Sequence, residues 1–194
     1  MPDDLVDYEK IFKAILKGVL TEKRYHHSEC VADEAKRLAE KYGCDSEKAY
    51  ITGLLHDITK NSDEKTHFEI FNEYNIKLNE IEKTQEKLWH AISGSAYVQY
   101  KLNVKDDEII DAIRYHTTAK ANMPLFSKII YMADFTSADR DYDDVDILRA
   151  ILEKSLDEAY KYALSYTVKD LVDRELPIHI DTINAYNETV IKER

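Results

Sequence analysis

Apolar residues recur at steps of three and four along most of the chain, the spacing that gathers side chains on one face of an α-helix. Phe12, Leu16 and Val19 follow this spacing near the start, and Val31 and Ala35 follow it in the next segment. No run of residues alternates with the period of two that is typical of a half-buried β-strand. The pattern predicts helices over about residues 5–19, 21–42, 45–57, 65–74, 88–102, 106–115, 125–138, 145–163, 165–175 and 181–191.

Residues that begin and end helices support this division. Gly43 is placed to end the second helix, and Asp45 to cap the third at its N-terminus. Pro124 suits the start of a helix, and Pro177 interrupts the chain before the last one. The polar segment 75–86 is predicted to be a loop with a helical turn.

Composition and length add to the helical interpretation. The chain has four glycines and three prolines among 194 residues, fewer than turn-rich all-β folds require. This length allows one domain with a substantial core. We therefore predict a single all-α domain over residues 1–194, with its core at about 20–140 and the helices of 145–192 packed on it.

Charge narrows the classes of partner. The formal net charge is −11, and lysines and arginines do not cluster as a nucleic-acid-binding face requires. No apolar run of about 18 residues predicts a membrane span, and the acidic start of the chain does not resemble a signal peptide. Cys30 and Cys44 form neither a metal-binding motif nor a disulfide framework. We expect a cytoplasmic protein that binds neither nucleic acid nor membranes.

Two acidic residues stand where an apolar pattern predicts burial. Asp57 follows His56 at the end of a helix whose preceding residues are Gly53-Leu54-Leu55. Asp134 interrupts the apolar run 129–135. A buried carboxylate is costly unless a cation or several hydrogen-bond donors compensate it. A metal site would explain both residues, although a satisfied core pair is the competing interpretation of a lone His-Asp dipeptide.

The order His, His-Asp, Asp along the chain resembles the signature of the HD-domain metallohydrolases. Within this family the chain closely resembles the YqeK-like subgroup of symmetrical diadenosine tetraphosphate hydrolases, over about residues 10 to 190. The resemblance implies an all-α HD-domain bundle. It rests on Arg24-Tyr25-His26-His27-Ser28, on Ala49 and Gly53-Leu54-Leu55-His56-Asp57-Ile58-Thr59-Lys60, and on Trp89-His90, His116-Thr117-Thr118, Lys128-Ile129-Ile130-Tyr131-Met132-Ala133-Asp134 and Tyr186-Asn187.

The resemblance also implies a set of metal ligands, with iron as the expected metal. Imidazole and carboxylate ligands suit manganese, cobalt or zinc as well, and one or two ions remain open. The ligands of one ion would be His27, His56, Asp57 and Asp134. His90 and His116 would bind a second ion that Asp57 bridges or, with one ion, would position phosphate or move protons.

Substrate and catalytic roles follow from the same resemblance. It implies hydrolysis of a nucleotide phosphoanhydride, with diadenosine tetraphosphate split into two ADP by water that the metal activates. The metal charge would offset the acidic field of the chain. Lys60 is expected to bind phosphate, Arg24 and Arg140 are weaker candidates, and the catalytic residues would be His90, His116, Asp57 and Lys60.

The chain departs from the family pattern at three places, which bear on pocket shape and substrate preference. Ala119 follows His-Thr-Thr, where we expect Gly. Ala91-Ile92 replaces Gly-Pro after Trp-His, and Ser137-Ala138 replaces an acidic residue and Pro before Arg140.

The remaining histidines and acidic residues receive structural interpretations. His67 lies on a polar helix and is predicted to be solvated. His179 is interpreted as structural, and His26 as a neighbour of the site without a metal bond. The acidic run 139–146 lacks the spacing of a calcium loop and is interpreted as an exposed loop.

Two other functions remain open. The protein could be an HD phosphohydrolase of another nucleotide, such as a deoxynucleoside triphosphate, a guanosine polyphosphate or a cyclic dinucleotide. The absence of Gly-Tyr-Pro after a His-Asp pair argues against the last of these. The second alternative is a non-catalytic, metal-stabilised scaffold that senses nucleotides. The exposed tyrosines and leucines expected on the surface are compatible with a homodimer.

Overall fold

The computed structural model describes residues 5–191, which form α-helices and short helical turns without any β-strand. The predicted all-α fold class is therefore confirmed. The predicted domain also includes residues 1–4 and 192–194, which lie outside the described residues. The helices are α1 Leu5–Val19, α2 Glu22–Tyr42, α3 Ser46–Leu55, α4 Glu64–Glu73, α5 Glu80–Thr84, α6 Trp89–Ala96, α7 Asp107–Tyr115, α8 Leu125–Thr136, α9 Val145–Leu152, α10 Leu156–Asp173 and α11 Ile180–Ile191.

Local capping sets most helix boundaries. Thr21, Asp45 and Asp63 each accept a hydrogen bond from a backbone N–H three residues later, at the starts of α2, α3 and α4. Gly43 ends α2 at φ 81°, in the left-handed region that glycine adopts without strain. In the segment predicted to be a loop, Asn79 caps the short helix α5.

Two predicted helices are divided differently in the structure. The helix predicted over 88–102 begins as α6 and continues as a π-helical turn, Tyr97–Lys101. The prediction of one helix over 145–163 followed by another over 165–175 is wrong, because the chain breaks at 153–155 instead. Ser155 accepts a hydrogen bond from the backbone N–H of Glu158 and so starts α10 there.

The helices α2 and α3 pack backbone to backbone, and this contact positions the site. A Cβ atom at Gly53 would lie 2.8 Å from the Cα atom of Ala32. Only glycine allows so close an approach, because any side chain at position 53 would meet the backbone of α2. The N-terminal half of α2 and the C-terminal end of α3 are therefore held as neighbours.

Helix α8 lies at the centre of the larger apolar core, between the α2–α3 pair and the C-terminal helices. Ile129, Ile130 and Met132 of α8 are fully buried. Leu148 of α9 and Ala163 of α10 belong to the same core cluster. Helix α7 packs against both α6 and α8. The start of α6, with His90, and the end of α8, with Asp134, lie at the same end of this group of helices. Among the described helices none is long and apolar enough to cross a membrane.

Candidate metal centre

His56 and His116 are each held by the same local device at the end of a helix. Each residue directly follows its helix, α3 or α7. The Nδ1–H of His56 donates to the carbonyl of Gly53 (2.6 Å), and that of His116 donates to the carbonyl of Ile113 (2.8 Å). Because a carbonyl only accepts, Nδ1 carries the proton in both rings. Both Nε2 atoms are therefore left as lone-pair donors, the form that binds a metal.

His27 on α2 is held between two carboxylates. Its Nδ1 lies 2.8 Å from Oδ2 of Asp139, and its Nε2 lies 3.0 Å from Oδ1 of Asp134. With Nδ1–H donating to Asp139, the Nε2 lone pair faces an ionised oxygen, and a cation bound by both atoms would resolve the repulsion. Asp139 in turn accepts the hydroxyl of Ser137 at 2.7 Å. The carboxylate of Asp139 therefore orients the ring of His27.

Asp57 lies between the histidines of α6 and α7. Its Oδ1 is 3.1 Å from Nε2 of His90 and 3.6 Å from Nε2 of His116. Its Oδ2 is 3.6 Å from Nε2 of His56. The two rings His90 and His116 approach within 3.1 Å through their Nε2 atoms. The carboxylate is thus in contact with three imidazoles and is only 2% exposed.

Two overlapping groups of these side chains have the spacing of a metal site. The groups are His27, His56 and Asp134, and His56, Asp57 and His116, and within each group the ligand atoms lie within 4.8 Å of one another. Within residues 5–191, His56 Nε2 and Asp57 Oδ1 are buried without a hydrogen bond of good geometry. Buried polar atoms normally have a partner, and imidazole nitrogen and carboxylate oxygen are ligands that suit a divalent metal. The donor set therefore fits such an ion.

Burial and charge set the protonation of the centre. Burial lowers the pKa of His56 and of His90 to about 4, so both rings are neutral at physiological pH. Burial opposes ionisation of Asp57, but His56, His90, His116 and the charge of Lys60 hold the pKa of that carboxyl well below its usual range. Neutral imidazoles and an ionised carboxylate are the forms that bind a metal without first releasing protons.

On the His27 side of the centre, charge outweighs burial in setting the pKa of the histidine. Burial disfavours the imidazolium of His27, but the hydrogen bond and charge of Asp134 raise its pKa overall. Burial likewise opposes ionisation of Asp134, whereas His27, Arg140 and His56 lower the pKa of its carboxyl well below the usual range. On this side two ionised carboxylates, Asp134 and Asp139, therefore face His27 and Arg140.

Three cationic side chains lie at the rim of the centre. Lys60 Nζ is 2.9 Å from His90 Nε2 and 3.7 Å from Asp57 Oδ1, and burial lowers its pKa. Arg24 Nη1 is 3.6 Å from Asp57 Oδ2. Arg140 donates to the side chain of Asp134 and, through Nε, to its backbone carbonyl at 2.7 Å. Each of the three cations therefore lies against a carboxylate of the centre, either Asp57 or Asp134.

All the residues predicted as ligands, catalytic groups or phosphate contacts come together at this centre, although they lie on helices far apart in the sequence. His26 contacts Cys30 instead (3.6 Å, Nε2 to Sγ). His179 is buried against Asn79 and Glu82, away from the centre. Sequence reasoning missed Asp139, since the acidic run that contains it was interpreted as an exposed loop.

The prediction that His67 is solvated is wrong. Its ring is 4% exposed, and its Nδ1 lies 2.8 Å from Oγ of Ser93. That hydroxyl contacts Oγ1 of Thr59 (2.8 Å), which donates to the backbone carbonyl of His90 (2.9 Å). Burial lowers the pKa of His67, so its ring is neutral. These hydrogen bonds form a polar relay from His67 to the backbone carbonyl of His90 and hold that backbone in place.

The departures from the family pattern have physical consequences. Ala119 is fully buried at φ 56°, in the left-handed region that glycine favours. Ile92 packs in a small apolar cluster with Phe71 and Trp89. Ser137 supplies the hydroxyl that orients Asp139. Ala119 therefore lies three residues after His116, and Ser137 is linked to His27 through Asp139.

The fold and the centre define the class of this protein, an all-helical protein with buried imidazoles and carboxylates that converge from helix ends. The family model described as HD domain matches residues 24–139, which contain every predicted ligand. The chain belongs to the HD domain family, as its motifs predicted. Membership of this family implies a divalent metal.

Similar proteins extend over nearly the whole chain. A Bacillus subtilis protein named symmetrical bis(5′-nucleosyl)-tetraphosphatase is 36% identical over 90% of this chain and 93% of its own. One of the same name from Staphylococcus aureus is 32% identical over 90% and 92%. The crystal structure of a Clostridium acetobutylicum protein, described as a predicted HD superfamily hydrolase involved in NAD metabolism, superposes with a TM-score of 0.91. It is 34% identical and is covered over 97% of its length, against 95% of this chain.

Proposed function

We propose that this protein is a metal-dependent hydrolase that splits diadenosine tetraphosphate symmetrically into two molecules of ADP. The observation that carries the proposal is the convergence of four histidines and two aspartates on one buried point, where His56 Nε2 and Asp57 Oδ1 need a partner. Relatives that match nearly the whole chain bear the name of this activity.

The proposed ligands divide into two groups. His27, His56, Asp57 and Asp134 hold one ion, and His90 and His116 hold a second with Asp57 or contact the phosphate. We expect iron, with manganese, cobalt or zinc as the ions to compare in reconstitution, because imidazole and carboxylate ligands accept them all. The bound metal supplies Lewis acidity that activates water and polarises a phosphoryl oxygen.

The residues of the chain provide binding, orientation and proton transfer around that point. Lys60 contacts both His90 and Asp57, so its ammonium can bind a phosphoryl oxygen while remaining beside the centre. Arg24 and Arg140 flank the same point and can bind the outer phosphates. His90, whose ring is neutral because burial lowers its pKa to about 4, can take a proton from the attacking water and return it to the departing phosphate oxygen.

A product assay tests this function directly. The metal-loaded protein is offered diadenosine tetraphosphate, deoxynucleoside triphosphates and guanosine polyphosphates, and the products are separated. ADP as the sole product of diadenosine tetraphosphate is expected. ATP with AMP would show asymmetric cleavage. Inorganic triphosphate or pyrophosphate from the other nucleotides, without ADP formation, would assign a different phosphohydrolase. No turnover of any nucleotide would favour the nucleotide-sensing scaffold.

Two further expectations stay predictions. The first is a cytoplasmic location without nucleic-acid or membrane partners, and the second is a homodimer. The mass of the freshly purified protein in solution would test the homodimer. Metal analysis of the same preparation would test the expected iron.

A further inference from the structure

A groove of about 350 Å³ leads away from the metal centre along α10. It starts at Asp134 and Arg140, and its far end is formed by Asp170 and Arg174. Volumes above about 300 Å³ are typical of small-molecule sites. The groove therefore has room for a group attached to a phosphate that is bound at the centre.

Two tyrosine rings line this groove. The centroids of Tyr142 and Tyr166 lie 5.7 Å apart with their planes at 36°. The hydroxyl of Tyr142 donates to the carbonyl of Phe135 at 3.0 Å, which anchors that ring. Tyr166 is 38% exposed, so part of its ring is open to solvent. An exposed aromatic face next to a phosphate site is suited to stacking against a nucleobase.

The far end of the groove is polar. Arg174 Nη1 donates to Asp170 Oδ2 at 2.9 Å, so a guanidinium and a carboxylate offer donors and acceptors to the edge of a base or to ribose hydroxyls.

A second, smaller groove of about 150 Å³ shares Arg174 and includes Thr117, the residue after His116. The hydroxyl of Thr117 is buried and has no hydrogen-bond partner within the described part of the chain.

We propose that the groove lined by Tyr142 and Tyr166 is the subsite for one purine nucleoside of the substrate, with the base stacked on Tyr166 and its polar edge towards Asp170 and Arg174. This inference rests on the proposed function, because it assumes a nucleotide whose phosphates bind at the metal centre beside Lys60 and Arg140. Stacking tolerates any purine, so the subsite contributes affinity more than discrimination between adenine and guanine.

The test compares two ligands that differ by the nucleoside. Binding of ADP and of inorganic pyrophosphate to the metal-loaded protein is measured by calorimetry for the wild type, Tyr166→Ala and Tyr166→Phe. We expect Tyr166→Ala to weaken ADP about 5- to 100-fold, the range typical of one lost base stack. Pyrophosphate affinity should not change, and Tyr166→Phe should bind ADP as the wild type does.

A matched control variant distinguishes the loss of base stacking from the general effect of removing an exposed tyrosine. Tyr100 is 50% exposed, stacks on Tyr74 and lies outside the groove. Tyr100→Ala should leave both ligands unaffected. Equal ADP affinity in the wild type and Tyr166→Ala would overturn the subsite, and so would a parallel loss of ADP and pyrophosphate binding.

The subsite and the proposed function can fail separately. If the wild type does not split diadenosine tetraphosphate, the function is wrong, but the difference between ADP and pyrophosphate still decides the subsite. If it does split that substrate while Tyr166→Ala keeps the wild-type KM and ADP affinity, the function stands and the base binds elsewhere.

Discussion

The His27–Asp134 side and the His90–His116 side of the centre are built differently. On the first side His27 lies between the carboxylates of Asp134 and Asp139, and a serine hydroxyl fixes Asp139 in place. On the second side the imidazoles of His90 and His116 face one carboxylate oxygen of Asp57, with Lys60 beside them. The first side combines two carboxylates with one imidazole and Arg140, and the second combines one carboxylate with two imidazoles and Lys60.

This difference indicates a division of labour. A site with two carboxylates and an oriented imidazole is suited to keeping a cation throughout turnover. A site with one carboxylate, two imidazoles and a lysine is suited to groups that arrive and leave, such as a second ion or a phosphate. Asp57 contacts His56 on one side and His90 and His116 on the other, so it links the two.

The largest effect is expected from Asp57→Asn, which removes a charge shared by both sides. We expect metal content and hydrolysis to fall together, with activity lower by on the order of 1,000-fold, because metal catalysis supplies several kcal/mol of the barrier reduction. Metal analysis and product formation on the same preparation measure both. Asp143→Asn, on an exposed loop, is the control. Full metal content in Asp57→Asn would contradict the ligand assignment.

Asp139→Ala should damage the His27 side alone. Loss of a carboxylate that orients a ligating histidine typically weakens metal binding about 10- to 100-fold. Metal affinity is measured by competition with a chelator, and added metal should restore activity. Asp143→Ala comes from the same acidic run and should bind metal as the wild type does. Equal losses in the two variants would mean that the loop acts through charge and not through His27.

Ser93→Ala should affect the His90 side more mildly. It interrupts the relay from His67 through Thr59 to the backbone of His90. A lost hydrogen bond is worth about 0.5–1.5 kcal/mol, so kcat should fall about 2- to 10-fold with metal content and KM unchanged. Ser95→Ala removes a buried hydroxyl that bonds only to its own helix, at the carbonyl of Ile92. The idea fails if both variants lose kcat alike.

Glu82→Gln should leave hydrolysis unchanged and lower the free energy of unfolding. It therefore serves as a reference for the variants on both sides of the centre. Burial opposes its ionisation, but hydrogen bonds from His179 and from the backbone of Asn79, with the charge of Arg114, lower the pKa of Glu82 to about 2. A lowered folded-state pKa stabilises above the unfolded value of 4.5 and loses that contribution as the pH falls towards 2. At pH 7 the variant should be about 1–3 kcal/mol less stable.

Urea unfolding from pH 7 to pH 3.5 measures this contribution. The gap between wild type and Glu82→Gln should narrow once the pH falls below about 4.5. Glu80→Gln removes an exposed charge from the same short helix and should cost little. A gap that stays constant with pH would show that the carboxylate charge of Glu82 is not what stabilises the fold.

The helices could be predicted because their signals are local, whereas most site residues could be predicted only from the resemblance to the HD-domain family. Asp45 and Gly43 mark helix ends through capping chemistry, and the apolar run around Asp134 marks that carboxylate as unusual. The break before α10 also had a local signal, since Ser155 and Glu158 have the spacing of a capping box. The break was not predicted, because the helical spacing of apolar residues continues across residues 153–155 without Gly or Pro.

Asp139 and His67 could not be predicted in the same way. The partner of Asp139 is His27, 112 positions away, and nothing in an acidic run distinguishes the one residue that meets a histidine. His67 stands between Thr66 and Phe68 in a segment rich in charged residues, and Phe71 and Trp89 pack beside its ring. The role of Asp139 and the burial of His67 both arise from tertiary contacts with residues elsewhere in the chain.

The contact at Gly53 makes the centre vulnerable from a distance. A methyl group there would act as a wedge between the two helices that carry His27 and His56, without touching either ring. The carbonyl of Gly53 also anchors the ring of His56, so a shift of this residue would turn the imidazole as well. Position 53 has room only for the hydrogen atom of glycine. The packing at this position therefore sets the distance between the side chains of His27 and His56.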